Sequence, residues 1–295
     1  MGACAGLAIA LLASGCAVQT VEQVSLLHAG TGAGSADQPF LDRMRVADTV
    51  LIGELHDHPE QHRIRLGWLR ALGNEVPITL VMEHFDVEAQ ERINAARASQ
   101  SGDRPLAERA RELAQAADFR FDGWDWTLIG PVVEFALDKN LPLLAANLSS
   151  REAYAIARGQ SHPMDRPAPE GWTPRQDAVL AEMIREGHCN ALPEPMIAPM
   201  MRAQRARDAQ MAAVLEAARA AGRKPVLLAG NGHVRRDVGV PAYLTANTQV
   251  VSVALLELGS EVEVGAYDIV RFTPRLKRPD PCEGLRERFG KAAPK

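Results

Sequence analysis

Acid and imidazole side chains stand repeatedly at the ends of apolar runs in this 295-residue sequence. Glu54 and His56 close the run Thr49-Val50-Leu51-Ile52-Gly53-Glu54, and Glu83 and His84 close Ile78-Thr79-Leu80-Val81-Met82-Glu83. Asn231 and His233 follow Pro225-Val226-Leu227-Leu228-Ala229-Gly230. Two of these segments share a form, Gly53-Glu54-Leu55-His56 and Gly230-Asn231-Gly232-His233, a glycine that lets the backbone turn with a histidine three residues on. Carboxylate and imidazole arriving from separate strands suit a divalent metal such as Zn, Mn or Fe, whose ligands must converge from several directions. The same four residues, Glu54, His56, Glu83 and His233, are also the set that a hydrolase would use to hold a metal or activate a water. No compact His-Glu-x-x-His signature is present. Strand-end polar groups that only satisfy the local backbone are therefore the competing reading.

Other residues could extend the site. His58 and His62 are four apart at the start of a helix opened by Pro59, so both can face one side, either toward the site or into solvent. His84 should point away from Glu83 on a strand and is set aside. Asn147 and Asn231 also end apolar runs. Trp124-Asp125-Trp126 offers two indoles, with Trp126 the candidate wall for a planar ligand, although core packing is the commoner use of tryptophan. Met196, Met200, Met201 and Met211 form a group in which Met200 could line a flat apolar ligand and which otherwise fills core gaps. Tyr154 follows the run ending at Asn147, and a phenolate is a known ligand of ferric haem. His162 and His188 have no sequence reason to join.

Positioning such residues requires an α/β fold. The apolar runs at 49–54, 78–83, 141–147, 225–231 and 250–256 are continuous, as expected for strands buried on both faces of a parallel sheet, with a last edge strand at 262–272. Helical patterns occupy 59–72, 87–98, 106–117 and 132–138. The expected architecture is a mostly parallel sheet flanked by helices, with ligands beyond the carboxyl ends of its strands. The proline-rich stretch 159–174 breaks this rhythm, and helices at 176–186 and 200–221 follow it. Residues 160–222 thus read as a helical insertion capping the strand C-terminal edge.

With 46% hydrophobic residues the chain can bury one large core or two small ones, and a net charge of −4 gives no nucleic-acid surface. The apolar stretch 7–13 is too short to span a bilayer and runs into Ser14-Gly15-Cys16. It resembles a lipoprotein signal with Cys16 as the lipidated residue, though no Lys or Arg precedes it; an ordinary buried helix is the alternative. On this reading 1–15 is the signal peptide, 16–38 a small-residue tether, 39–275 the α/β domain and 276–295 a basic tail. Between 271 and 295 basic residues outnumber Asp280, Glu283 and Glu287, which suits contact with anionic lipid or a solvated surface. Cleavage removes Cys4 and lipidation uses Cys16, leaving Cys189 and Cys282 as a disulfide pair in an oxidising compartment or as two unpaired buried thiols.

The sequence resembles the ChaN-like haem-binding lipoproteins, within the superfamily that includes the Tiki proteins and erythromycin esterases. The resemblance is carried by 53–59 with His62, by Val81-Met82-Glu83 with Phe85-Asp86, and by 126–136 and 143–147. It continues through His188-Cys189, Ala203-Gln204, Arg207-Asp208, 230–235 and Gly239-Val240-Pro241. It implies a lipid-anchored protein of the bacterial envelope that binds haem or iron for uptake. In this family haem lies between two protomers with tyrosine as iron ligand, which implies a homodimer, Tyr154 as the ligand and an outer-membrane receptor as a further partner. The superfamily's enzymes imply the alternative, a metal-dependent esterase or peptidase.

Overall fold

The computed structural model describes residues 37–100, 102–280 and 282–283. Six strands form one sheet: β1 (Thr49–Glu54), β2 (Ile78–Asp86), β3 (Leu143–Asn147), β4 (Lys224–Gly230), β5 (Val250–Glu257) and β6 (Ile269–Thr273). Their order is β3-β2-β4-β1-β5-β6, and every neighbouring pair is parallel. β1 is buried along its whole length, as its unbroken apolar run requires. The edge strand β6 alternates between buried and half-buried residues.

Both faces of the sheet are covered. Val50, Ile52, Leu80, Met82, Val226 and Leu228 pack on the side of α1 (Gln38–Val46), α2 (Pro59–Gly73), α3 (Gln90–Ser99), α4 (Leu106–Ala116) and α5 (Trp126–Asp138). Leu51, Val81, Leu227 and Ala229 face the other way, onto Met211, Ala212 and Leu215 of α8 (Ile197–Ala220). Strand residues two apart therefore share a helical layer, which decides where the residues at the strand ends must go. α6 (Ser150–Ala157) and α7 (Pro174–Gly187) lie between β3 and α8 in the chain. α8 serves the β3-to-β4 crossover as the covering layer of the second face, and its N-terminal half continues over the strand ends. Among the described residues no helix is long and apolar enough to cross a membrane.

Several expectations shift. α5 starts at Trp126, not 132, because Asp125 caps it by accepting from the Thr127 N–H at 2.9 Å and Pro131 is accommodated within the helix. The last strand is shorter than 262–272, since Gly259 and Gly265 take left-handed turns in the loop before it. The tether does not reach residue 38. Asp37 is buried, accepts from Trp68 Nε1 at 3.0 Å and pairs with Arg271 at 3.1 Å, and α1 follows directly. The tail does not start free at 276 either, because Arg278 pairs with Asp57 at 2.8 Å and Glu257 at 2.9 Å. A disulfide joins Cys189 to Cys282, with their Cα atoms 5.5 Å apart. The signal peptide, Cys16 and most of the tether lie outside the described residues.

Candidate functional site

The acid and imidazole groups meet at the carboxyl edge of the sheet in two adjoining halves. Glu54 shares the parity of Val50 and Ile52, so its carboxylate turns to the α2 side. There the fully buried guanidinium of Arg65 pairs with it, and His62 Nε2 and His84 Nε2 approach Oε1 at 3.5 and 3.3 Å. Nε2 of His62 also lies 3.0 Å from the His56 carbonyl oxygen, to which it donates, leaving Nδ1 to accept from Arg65 Nη2 at 2.9 Å. Burial lowers the His62 imidazole to about 4, and burial followed by the charge of Arg65 holds His84 well below its ordinary value. Burial also brings Arg65 down to about 9, opposed by Glu83. Glu54 thus sits between one cation and neutral imidazoles. His56 closes this half from the lip, its side chain 43% exposed and its Nδ1 3.4 Å from Glu54 Oε1.

Glu83 follows the parity of Val81 and turns to the α8 side. Its Oε2 accepts the Gly230 N–H at 2.7 Å, and its Oε1 lies 3.3 Å from His233 Nε2. On the other side of that ring, Nδ1 is 2.6 Å from Asp208 Oδ1, with the Gln204 amide 3.1 Å away. Burial works against charge on His233, but Glu83 and Asp208 together raise it to about 10. Burial likewise opposes ionisation of Glu83, yet the charge of His233 and its hydrogen bond keep that carboxyl well below the usual range. Asp208 is pushed up to about 6 by burial against the pull of His233. The result is an imidazolium clamped between two carboxylates. The halves touch at Gly230: a Cβ there would lie 2.9 Å from His56 Nε2, so glycine makes room for the ring at a position with no left-handed turn.

A cleft of about 300 Å³ opens over Glu83, His84 and His233. Trp124 forms one wall, its ring centroid 4.7 Å from that of His56 and 4.6 Å from that of His84. Phe85, Phe119 and Arg120 continue that wall, and Asp86, Asn147, Ser150, Gln204 and Arg207 complete the rim. Arg207 donates to Asn147 Oδ1 and to the Leu148 carbonyl at 2.9 Å, which fixes the turn between β3 and α6. α6 is launched there by a capping box in which Ser149 and Glu152 exchange hydrogen bonds. One turn beyond Ser150, Tyr154 stands 63% exposed, with Arg158 Nη1 donating to its hydroxyl oxygen at 3.2 Å.

The expected site is therefore rearranged. The ligand atoms that fall within 4.8 Å of one another belong to Glu54, His56 and His84, while Glu83 and His233 are engaged with each other and with Asp208. His84 joins because Glu54, not Glu83, shares its side of the sheet. His58 departs: buried at the N-terminal boundary of α2, it makes no capping side-chain bond, and its Nε2 meets the Pro274 carbonyl at 2.9 Å, away from the cleft. Trp126 packs on Phe119 and Phe121, leaving the wall to Trp124. Asn231 turns to the Leu255 carbonyl at 2.7 Å, and Met200 is not among the cleft-lining residues. Arg65, Asp208, Gln204 and Arg207 join the site although the sequence assigns them no role; the last three lie in segments that carry the family resemblance. Arg65 carried a signal, a charge on the stripe of α2 that also holds Trp68, Leu69 and Leu72.

Residues 40–244 match the family model described as haem-binding uptake, Tiki superfamily, ChaN. Among solved structures, the fold is similar to that of ChaN of Campylobacter jejuni, described as binding haem cofacially, with a TM-score of 0.67 and 22% identity over 79% of this chain and 90% of that one. An erythromycin esterase mutant in its open conformation is more distantly similar, with a TM-score of 0.45 and 12% identity over 76% of this chain and 74% of that one. No curated protein matches.

Proposed function

Because the chain belongs to the haem-binding uptake family of the Tiki superfamily, ChaN, we propose that it captures haem as cargo beside the cleft, with Tyr154 as the iron ligand. The observation that carries this is the placement of Tyr154, exposed on α6 one turn from a cleft-lining serine, where most tyrosines of a folded domain would be at least half covered. A phenolate there can reach iron in a ligand that lies outside the protein core. A ligand seated on an outward-facing residue leaves its second face uncovered, which favours a second copy of the chain as the other wall. Residues 7–16 and the disulfide support an envelope protein held to the membrane through lipidated Cys16, delivering haem to or from an outer-membrane receptor.

Titration of the purified protein with haemin, followed at the Soret band and by sedimentation, tests this reading. A saturable spectrum that collapses in Tyr154→Phe, with dimer formed on loading, is the expected outcome. Absorbance changes no larger than those of a nonspecific carrier, or indifferent to Tyr154→Phe, would remove it.

The grouping of Glu54, His56 and His84 favours a second reading, a divalent-metal site serving hydrolysis. The buried Arg65 on Glu54 counts against it, since a guanidinium already neutralises the one carboxylate of that group. Stoichiometric metal in the purified protein, with ester or peptide turnover lost in His56→Ala, would reverse this order.

A further inference from the structure

We propose that the groove between α7 and the loop joining β5 to β6 is a docking site for residues 284–295 of the same chain, which follow the disulfide and lie outside the described residues. The proposal is independent of the haem reading, since none of the residues lining this groove lines the cleft. The groove holds about 330 Å³. Val179 and Met183 of α7 line it together with Leu256 and Val262, all four half-buried. β5 shows where it begins, being buried from Val251 to Leu255 and only half-buried at Leu256. Apolar side chains gathered in a groove and rimmed by charge mark a docking surface. Here the rim is acidic. Glu182 is exposed and bonded only to Arg185 of its own helix, at 3.2 Å. Glu186 and Glu261 form no ion pair among the described residues. Arg235, the cation of this lining, is matched by both Glu263 and Asp237.

Residues 284–295 complement both features. Leu285 and Phe289 are apolar and four apart, and Arg286, Arg288, Lys291 and Lys295 are set against one carboxylate, Glu287. The disulfide decides where this segment starts. Cys282 is bonded to Cys189, just past the end of α7, and Glu186 and Glu182 lie three and seven residues before Cys189. Both rim residues are therefore within roughly 10 Å of the bridge along the helix, and the twelve residues of the segment reach roughly 40 Å when extended. Tethering at that point makes docking intramolecular, at an effective concentration on the order of millimolar, so one aromatic anchor and a few ion pairs suffice to hold the segment. A groove at the small end of ligand pockets takes one or two side chains, which suits Phe289 as the anchor with its neighbouring cations at Glu186 and Glu261.

Trypsin cleavage after Arg286, Arg288 and Lys291 is followed by intact mass, on the oxidised full chain and on a synthetic peptide of residues 284–295. Wild type is expected to be cut at these sites at least about tenfold more slowly than the peptide, at a rate independent of protein concentration. Glu186→Gln combined with Glu261→Gln, and separately Val262→Ser, should raise the rate toward that of the peptide while leaving the circular dichroism spectrum unchanged. Wild-type cleavage as fast as that of the peptide, or protection untouched by both sets of groove substitutions, overturns the proposal. Protection that is lost on dilution overturns it too, because the segment then sits on a second copy of the chain.

Discussion

His233 shows how far a single side chain can be moved by its neighbours. Its proton is held from both sides, by Asp208 at 2.6 Å and Glu83 at 3.3 Å. A folded value near 10 against 6.5 when unfolded means that the native state keeps a proton which the unfolded chain has released. This contribution to stability is complete below pH 6.5 and is lost as pH rises from there through 10. Denaturant midpoints should therefore fall between pH 6.5 and 9.5 by the equivalent of on the order of 3 kcal/mol, and Asp208→Asn should flatten that slope. A wild-type midpoint constant across this range would show that the clamp does not charge the ring. Glu54, His56, Glu83 and His233 were legible as strand-end chemistry because each closes an apolar run. The pairings of Asp208 and Arg65 are not legible there, because each meets its partner only once helix and strand are packed; Asp208 lies 25 residues before His233 in a long helix.

At the scale of elements, the glycines at the strand ends are spacers. A Cβ on Gly53 would stand 2.5 Å from both Asn231 Oδ1 and Val234 Cγ2. Gly53→Ala is expected to destabilise the fold by about 1–3 kcal/mol, whereas Gly102→Ala, with nothing within 4 Å, should be neutral or slightly stabilising. Thermal unfolding of the two variants checks this, and equal midpoints would contradict it. The strands were legible because a sheet buried on both faces writes itself as unbroken apolar runs. β1 falls on residues 49–54, as the run indicates. The short helices were harder. α1 was hidden at the end of a small-residue stretch, although Phe40, Leu41 and Met44 trace one buried stripe. α6 announced itself only through Ser149-Ser150-Arg151-Glu152, a capping box easily passed over beside the more conspicuous Tyr154. The division of the site between the two faces could not be read at all until strand parity was tied to particular helices.

At the scale of the whole molecule, the segment that follows β6 is a fastening. After β6 the chain passes His58, pairs through Arg278 with Asp57 and Glu257, and reaches Cys189 through Cys282, 93 residues apart in sequence. In the chain-entropy model, closing a loop of that length is worth about 4–5 kcal/mol, and strain reduces the figure in practice. Reduction by a dithiol, or Cys282→Ser, should lower the denaturation midpoint accordingly while leaving haemin affinity nearly intact, because neither cysteine lines the cleft. An unchanged midpoint would mean that the bridge constrains nothing.

The order of the parts along the chain has its own consequence. Every residue lining the cleft lies at or before His233 in the chain, whereas Arg278 and Cys282 lie beyond β6. The bond from Cys282 to Cys189 can close only once β5 and β6 have been made, which orders the covalent stitch after every strand of the sheet.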